Sequence, residues 1–222
     1  MKAPVPKPLL MLAGVPVVVR TLKVFEACAA VDSSIVIVPE EYLADYKTVV
    51  AAAGLRKVKA VIAGGATRTG SVREGLRALD ADTGMVIVQD AVRPFVTETM
   101  IVKGIAVAGK VKAAVAAVPV KSTLKVVAPV TDLVESTLDR SLVWQVQTPQ
   151  VFDRALLEEA YAAEGDATDD AGMVERIGAV VQVFMGCYRN IKITTPEDME
   201  VAEVFVRTNE RNGVPHVTAC RG

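Results

Sequence analysis

Short runs of β-branched and apolar residues alternate along this chain with stretches whose apolar residues recur every three or four positions. That alternation constrains the fold more than any other feature. The runs at 34–38, 58–63, 85–89, 113–118, 180–185 and 191–193 have the length and composition of strands. Between them, 16–30, 41–53, 71–79, 97–108, 154–163 and 196–209 carry helical spacing. Parallel strands need a crossover long enough to hold a helix, so this order predicts an α/β fold with a mostly parallel sheet and helices on both faces. With 222 residues, 51% of them hydrophobic, the chain has ample material for a core, and a single domain over 1–222 is expected. The last helix is signposted by Thr195 as N-cap, Pro196 in the first turn, and Glu197 and Asp198 at the positive helix end.

One segment departs from the alternation. Strand-like runs at 123–127 and 133–138 flank the turn-prone Ala128-Pro129-Val130-Thr131-Asp132, which reads as a protruding β-hairpin arm over 121–140. A lone two-stranded hairpin is marginal in water, so a second copy of the chain is its simplest packing partner, and a homodimer is expected. The polar tail 210–222 is expected to fray.

Composition excludes several function classes. Lys plus Arg number 25 against 26 Asp plus Glu, so no global basic field exists to hold nucleic acid, although a local basic pocket for a phosphorylated small molecule fits. The single histidine, His216, lies in the polar tail, which removes a Ser-His-Asp triad or a histidine base. Lysine, arginine and aspartate must carry any chemistry. Cys28, Cys187 and Cys220 have no metal-ligand spacing and are odd in number, as expected of reduced thiols in a cytoplasmic protein. The apolar run 9–19 is interrupted by Gly14 and Pro16, so no membrane span is expected, and no signal or transit peptide is visible.

In open parallel sheets ligands bind beyond the carboxyl ends of strands, so the loops there are the expected place for chemistry. After 58–63 comes Gly64-Gly65-Ala66-Thr67-Arg68-Thr69-Gly70-Ser71-Val72, either a plain turn and cap or a loop whose amides receive an anion or a base edge. After 85–89 comes Asp90-Ala91-Val92-Arg93-Pro94, either a structural ion pair or an aspartate serving a metal-nucleotide beside an arginine serving phosphate. Lys192 stands in the apolar run 191–193, either as a surface lysine that snorkels to water or as an inward lysine, which is costly unless it meets an anion. Lys7 sits between Pro6 and Pro8 in a stiff segment. The arm contributes Lys121, Ser122, Thr123 and Lys125 on one leg and Asp139-Arg140 beyond the other, as solvated charges or as ligand contacts.

In chain order, Pro6-Lys7-Pro8-Leu9, Arg68-Thr69-Gly70-Ser71-Val72, Asp90-Ala91-Val92-Arg93-Pro94, Thr137-Leu138-Asp139-Arg140, Gln147-Thr148-Pro149-Gln150-Val151-Phe152, Ala167-Thr168-Asp169-Asp170-Ala171 and Asn190-Ile191-Lys192-Ile193-Thr194-Thr195-Pro196-Glu197-Asp198 resemble the 2-C-methyl-D-erythritol 4-phosphate cytidylyltransferase family over nearly the whole chain. The resemblance implies a Rossmann-like nucleotidyltransferase fold whose arm clasps a partner subunit. It also implies transfer of a cytidylyl group from CTP to a sugar-alcohol phosphate with release of pyrophosphate, assisted by Mg2+ or another divalent cation. Carried over by residue, Gly64, Gly65 and Ser71 would meet the cytosine, and Asp90 and Ala91 would lie along the ribose and the metal-bound phosphates. Arg93 and Lys192 would face the sugar phosphate and α-phosphate, Lys7 would lie on the triphosphate, and Thr123 and Arg140 would complete the partner's sugar-phosphate site. Lys7 and Lys192 are thus the expected catalytic residues, and Asp90 the expected metal ligand.

Nucleotidyl transfer fits this residue set independently, because catalysis comes from positioning and from cations on developing charge, without a histidine or a covalent nucleophile. Ala66 stands where many relatives have an acidic residue, and Ser122 where aspartate is usual. The family opens with a buried strand and a glycine-rich loop ending in arginine-methionine, and Met1 stands where that methionine belongs. The expectation is that residues precede Met1, left out of the sequence or lost to a misassigned start rather than to a true truncation. Ribitol 5-phosphate cytidylyltransferase and a non-catalytic nucleotide-binding scaffold are the alternatives. A plastid location replaces the cytoplasm if the source is a plant or alga.

Overall fold

In β6 (Ala113–Pro119), six successive residues are buried and four of them are alanine. Alternate side chains of a strand point to opposite faces, so this strand feeds two cores at once. Ala113 and Val115 pack with Phe152, Leu157 and Met173 on one face, while Ala114 and Ala116 pack with Met100, Val151 and Phe184 on the other. Small residues at the centre let helices approach closely from both sides. Gly104 shows the same demand from the helix side, since a Cβ there would lie 2.8 Å from the Val151 side chain.

The computed structural model describes residues 5–163 and 165–211. A short hairpin of β1 (Met11–Leu12) and β2 (Val15–Pro16) leads into α1 (Val17–Ala27). There follow β3 (Ser34–Val38), α2 (Leu43–Ala52), β4 (Val58–Ala63), α3 (Arg68–Arg77), β5 (Met85–Val88) and α4 (Glu98–Val111), and then β6. The arm is β7 (Lys125–Val127) with β8 (Val134–Thr137), and beyond it lie β9 (Trp144–Asp153), α5 (Arg154–Ala162), α6 (Asp170–Arg176), β10 (Gln182–Met185) and α7 (Pro196–Arg211). The main sheet runs β10-β6-β9-β5, and β3 pairs with β4 in parallel beside it as a separate two-stranded sheet.

The α/β class with helices on both faces holds, and the sheet is more mixed than the alternation predicted. The sequence reading missed β9, which is antiparallel to both β5 and β6 and sits between them. The run 191–193 is not a strand, and the motif-bearing segment 168–171 includes the start of α6. Helix starts follow side-chain capping: Thr67 accepts from the Gly70 amide, Thr97 from Met100 and Asp169 from Gly172. At α7 the expected cap is present as a reciprocal pair, in which the Asp198 amide donates to Thr195 Oγ1 and the Thr195 amide donates to Asp198 Oδ2. Cys28 is a buried free thiol, as expected. His216, Cys220 and the tail from 212 lie outside the described residues. No helix among the described residues is long and apolar enough to cross a membrane.

Candidate active site

The loop after β5 carries Asp90 because its neighbour strand holds it there. The Asp90 amide donates to Thr148 Oγ1 at 3.1 Å, which ties the end of β5 to β9. Three residues on, a single turn closed by Arg93 N–H to the Asp90 carbonyl brings the two side chains together. Arg93 Nε lies 3.1 Å from Asp90 Oδ2, and its Nη1 donates to the Asn190 carbonyl at 2.8 Å. The guanidinium is buried, with its carboxylate partner part-buried.

Lys192 arrives from a segment more than a hundred residues away. Ile193 is buried with Leu12, Phe95 and Val206, Ile191 packs against the same cluster, and the Ile193 amide donates to the Val92 carbonyl at 2.9 Å. With its two neighbours committed to the core, Lys192 faces the other way. Its Nζ lies 3.2 Å from the same Asp90 Oδ2, with 45% of the side chain exposed. The expectation of an inward lysine in a strand is therefore corrected: Lys192 is half-exposed on an irregular segment, and a carboxylate meets its charge. Lys7, in a 3₁₀ turn over Lys7–Leu9, donates from Nζ to the carbonyl of Thr194, two residues further on. Thr194 is itself fixed by its amide and hydroxyl bonds to Asp198. These hydrogen bonds hold the Asp198 carboxyl below its ordinary value.

Asp90, Arg93 and Lys192 thus form one ion cluster with Lys7 tethered beside its third member. Three cations against one carboxylate leave an excess of positive charge, which suits an arriving polyphosphate. Ala91 lies in the same loop, its carbonyl accepting from Thr21 Oγ1 at 2.9 Å. Two buried acceptors that flank the cluster in sequence, Gln89 Oε1 and Asn190 Oδ1, have no hydrogen-bond partner among the described residues. Buried acceptors are nearly always paired, so an oxygen without a partner beside Asp90 is a candidate to receive a ligand or an ion.

The glycine-rich loop lies at the end of β4. Gly64 donates its amide to the Val38 carbonyl, and a Cβ on Gly65 would fall 2.8 Å from the Gly70 backbone, so the loop packs directly on the first turn of α3. Ser71 turns its Oγ to the carbonyls of Thr67 and Gly65. The helix begins at Arg68, earlier than the sequence reading placed it. Sequence reasoning quoted Arg68 and Asp170 only as motif members and did not see their pairing: the Arg68 guanidinium is ion-paired with the fully buried Asp170 carboxylate. Burial is the largest single influence and works against the Arg68 charge, but the hydrogen bond and the charge of Asp170, with the charges of Tyr161 and Asp90, together outweigh it, so its pKa is raised.

Thr123 and Arg140 stand apart. Both are exposed on the arm, Arg140 Nη1 donates to the Lys121 carbonyl, and no hydrogen bond or ion pair among the described residues joins either to the Asp90 cluster. Among the described residues no group of three or more His, Cys, Asp or Glu side chains is arranged to hold a metal ion. A cavity of about 260 Å³ between α2 and β4 contains none of the predicted site residues.

Residues 1–208 match the model of the family described as 2-C-methyl-D-erythritol 4-phosphate cytidylyltransferase. The enzyme of that name from Geobacter metallireducens is 42% identical over 215 residues, covering 93% of this chain and 92% of the relative. Its namesake from Geotalea uraniireducens is 43% identical over 215 residues, covering 94% and 91%. The crystal structure of 4-diphosphocytidyl-2C-methyl-D-erythritol synthase from Anaerococcus prevotii superposes with a TM-score of 0.82 at 31% identity, covering 91% of this chain and 90% of that one. Fold and sequence agree across almost the entire length, and the chain belongs to the 2-C-methyl-D-erythritol 4-phosphate cytidylyltransferase family.

Proposed function

We propose that the chain transfers a cytidylyl group from CTP to 2-C-methyl-D-erythritol 4-phosphate, releasing pyrophosphate, in non-mevalonate isoprenoid precursor synthesis. The observation that carries this reading is the Asp90 carboxylate bracketed by Arg93 and Lys192, with Lys7 held beside them through Thr194. Such a reaction must bring two anionic phosphates together. A phosphate oxygen of the sugar alcohol attacks the α-phosphorus, a new P–O bond forms, and the bond to the bridging oxygen breaks with its electrons leaving on pyrophosphate. Lys192 and Arg93 oppose the charge on the attacking phosphate and the α-phosphate, and Lys7 opposes that on the leaving group.

The residues fit a divalent cation of the magnesium kind. Asp90 offers a carboxylate at the strand end and Gln89 a buried oxygen without a partner, and magnesium in nucleotide sites takes one or two carboxylates plus phosphate oxygens. When bound, the ion neutralises phosphate charge and orients the triphosphate. Gly64, Gly65 and Ser71 are assigned to the cytosine and Ala91 to the ribose. Their support is the tight packing of the loop on α3 and the position of both segments at strand ends.

The chain is read as one domain over 1–222 with 121–140 as a dimerisation arm. All the residues of β7 and β8 are exposed, and Val130 and Leu142 keep 94% and 80% of their surface in water. An apolar hairpin left this open is marginal alone, and a second copy covering it would bring Thr123 and Arg140 to the partner's sugar-phosphate site. The cytoplasm, where CTP is available, is the assigned location. Pyrophosphate release with CTP and each acceptor tests the reaction: turnover is expected with 2-C-methyl-D-erythritol 4-phosphate, and faster turnover with ribitol 5-phosphate would overturn the assignment.

A further inference from the structure

The best-anchored polar cluster outside the proposed reacting centre joins α3 to the segment before α6. Asp170 is fully buried, which for a carboxylate is expensive unless it is paired and hydrogen-bonded. It receives both terminal nitrogens of Arg68, Nη1 at 3.2 Å, and the Tyr161 hydroxyl at 2.5 Å. Two further contacts run alongside: Thr69 donates its hydroxyl to Asp166, and Arg73 Nε donates to the Tyr161 carbonyl at 2.9 Å. The same segment is pinned to β9, because Gln150 Nε2 donates to Asp169 and Gln150 Oε1 accepts from the Ala171 amide.

Arg68 occupies the first turn of α3, where a cation opposes the positive end of the helix dipole. A residue that weakens its own helix end is retained here beside a buried countercharge, and the first turn it locks is the one against which Gly64 and Gly65 pack. Cβ atoms on those glycines would fall 2.5 Å from Ser71 Oγ and 2.8 Å from the Gly70 backbone, so the loop packs in direct contact with that turn.

We propose that Asp170, supported by Tyr161, is a positioning residue that acts through Arg68 to set the glycine-rich loop for recognition of the nucleotide base. This rests on the assignment of Gly64, Gly65 and Ser71 to the cytosine. The role proposed for the pair is orientation, because the Coulombic gain of such a pair is largely offset by desolvation of the fully buried Asp170 carboxylate. Binding of the sugar-alcohol phosphate, assigned to Arg93 and Lys192 on other loops, does not depend on it.

Calorimetric titration of CTP with magnesium into the full-length protein tests this, with Asp170→Asn, Arg68→Gln, the double variant and Gly65→Ala measured together. Asp170→Asn is expected to raise the Kd for CTP about tenfold, as expected for losing hydrogen bonds to a charged group. It should leave the KM for the sugar-alcohol phosphate within twofold and add nothing further in the Arg68→Gln background. Unchanged CTP affinity in Asp170→Asn while Gly65→Ala binds more weakly would overturn the positioning role and leave the base site standing. So would a lowered Tm without a change in Kd, or additive effects in the double variant. If Gly65→Ala also binds CTP as the wild type does, the base-site assignment fails and the proposal with it. Should Asp170→Asn not fold, Tyr161→Phe keeps the volume and removes one hydrogen bond, with a two- to threefold rise in Kd expected and no rise refuting the role.

Discussion

Replacing Lys192 by alanine isolates one charge in the cluster with little collateral damage. Its Nζ meets Asp90 Oδ2 at 3.2 Å, and nearly half of the side chain is exposed, so the alkyl stem fills no core position. Partly exposed ion pairs stabilise by about 0–1 kcal/mol, and Tm is expected to stay nearly unchanged. The effect on the transition state is of another size. Removing one preorganised donor from the site of developing charge costs on the order of 3–4 kcal/mol, which converts to a loss of turnover of about a hundredfold or more. Asp90 retains Arg93 at 3.1 Å in the variant, so the carboxylate stays anchored and the loss reports on Lys192 itself. The assay is pyrophosphate release at saturating CTP and 2-C-methyl-D-erythritol 4-phosphate, with circular dichroism to establish the fold. Full turnover by a folded Lys192→Ala protein would refute its catalytic assignment.

Asp90→Asn keeps the shape of the site and removes the charge, so a magnesium titration is expected to show weaker dependence on the ion and on CTP; curves that superpose on the wild type would count against Asp90 as the metal-nucleotide residue. Arg140→Ala should raise the KM for the sugar phosphate and leave that for CTP unchanged, because the lost contact belongs to the ground state. Mixing Arg140→Ala with Lys192→Ala subunits should recover one competent site per heterodimer, and no recovery in mixtures shown to exchange subunits would eliminate the shared site. Asp198 carries a pH signature. Its carboxyl is held below its ordinary value by hydrogen bonds from Thr194 and Thr195, so this stabilisation is complete above the unfolded value and fades as pH falls through the lowered folded one. Asp198→Asn should therefore have a lower Tm at neutral pH and lose less of it on acidification, and parallel Tm–pH curves would contradict the linkage.

Much of the candidate site was readable in advance because it sits on residues whose placement is local. Asp90 and Arg93 follow a strand by one turn, and Gly64 and Gly65 precede a helix N-terminus, so sequence order alone puts each pair at a strand end. Lys192 was picked out by its apolar neighbours. The reading of that stretch as a strand failed for a physical reason: Ile191 and Ile193 alternate as strand residues do, yet they are buried by α7 and the first hairpin rather than by a sheet neighbour. Asp170 carried no comparable signal. It is one of two adjacent aspartates in a polar stretch, and only folding makes the first a helix cap and the second a fully buried carboxylate.

Periodicity, caps, turn residues and ordered motifs are properties of neighbours along the chain. They were enough to predict an α/β fold with an exposed hairpin and to bring Asp90, Arg93 and Lys192 forward as candidate site residues. The order of strands, the antiparallel course of β9 between β5 and β6, and the pairings of Arg68 with Asp170 and Lys7 with Thr194 were decided only in three dimensions. Those last two join residues 102 and 187 positions apart. Segments so distant meet only because burying their flanking apolar residues in shared cores favours one arrangement of elements over others with the same local pattern, and that choice depends on side-chain volumes and surfaces that no window of sequence contains.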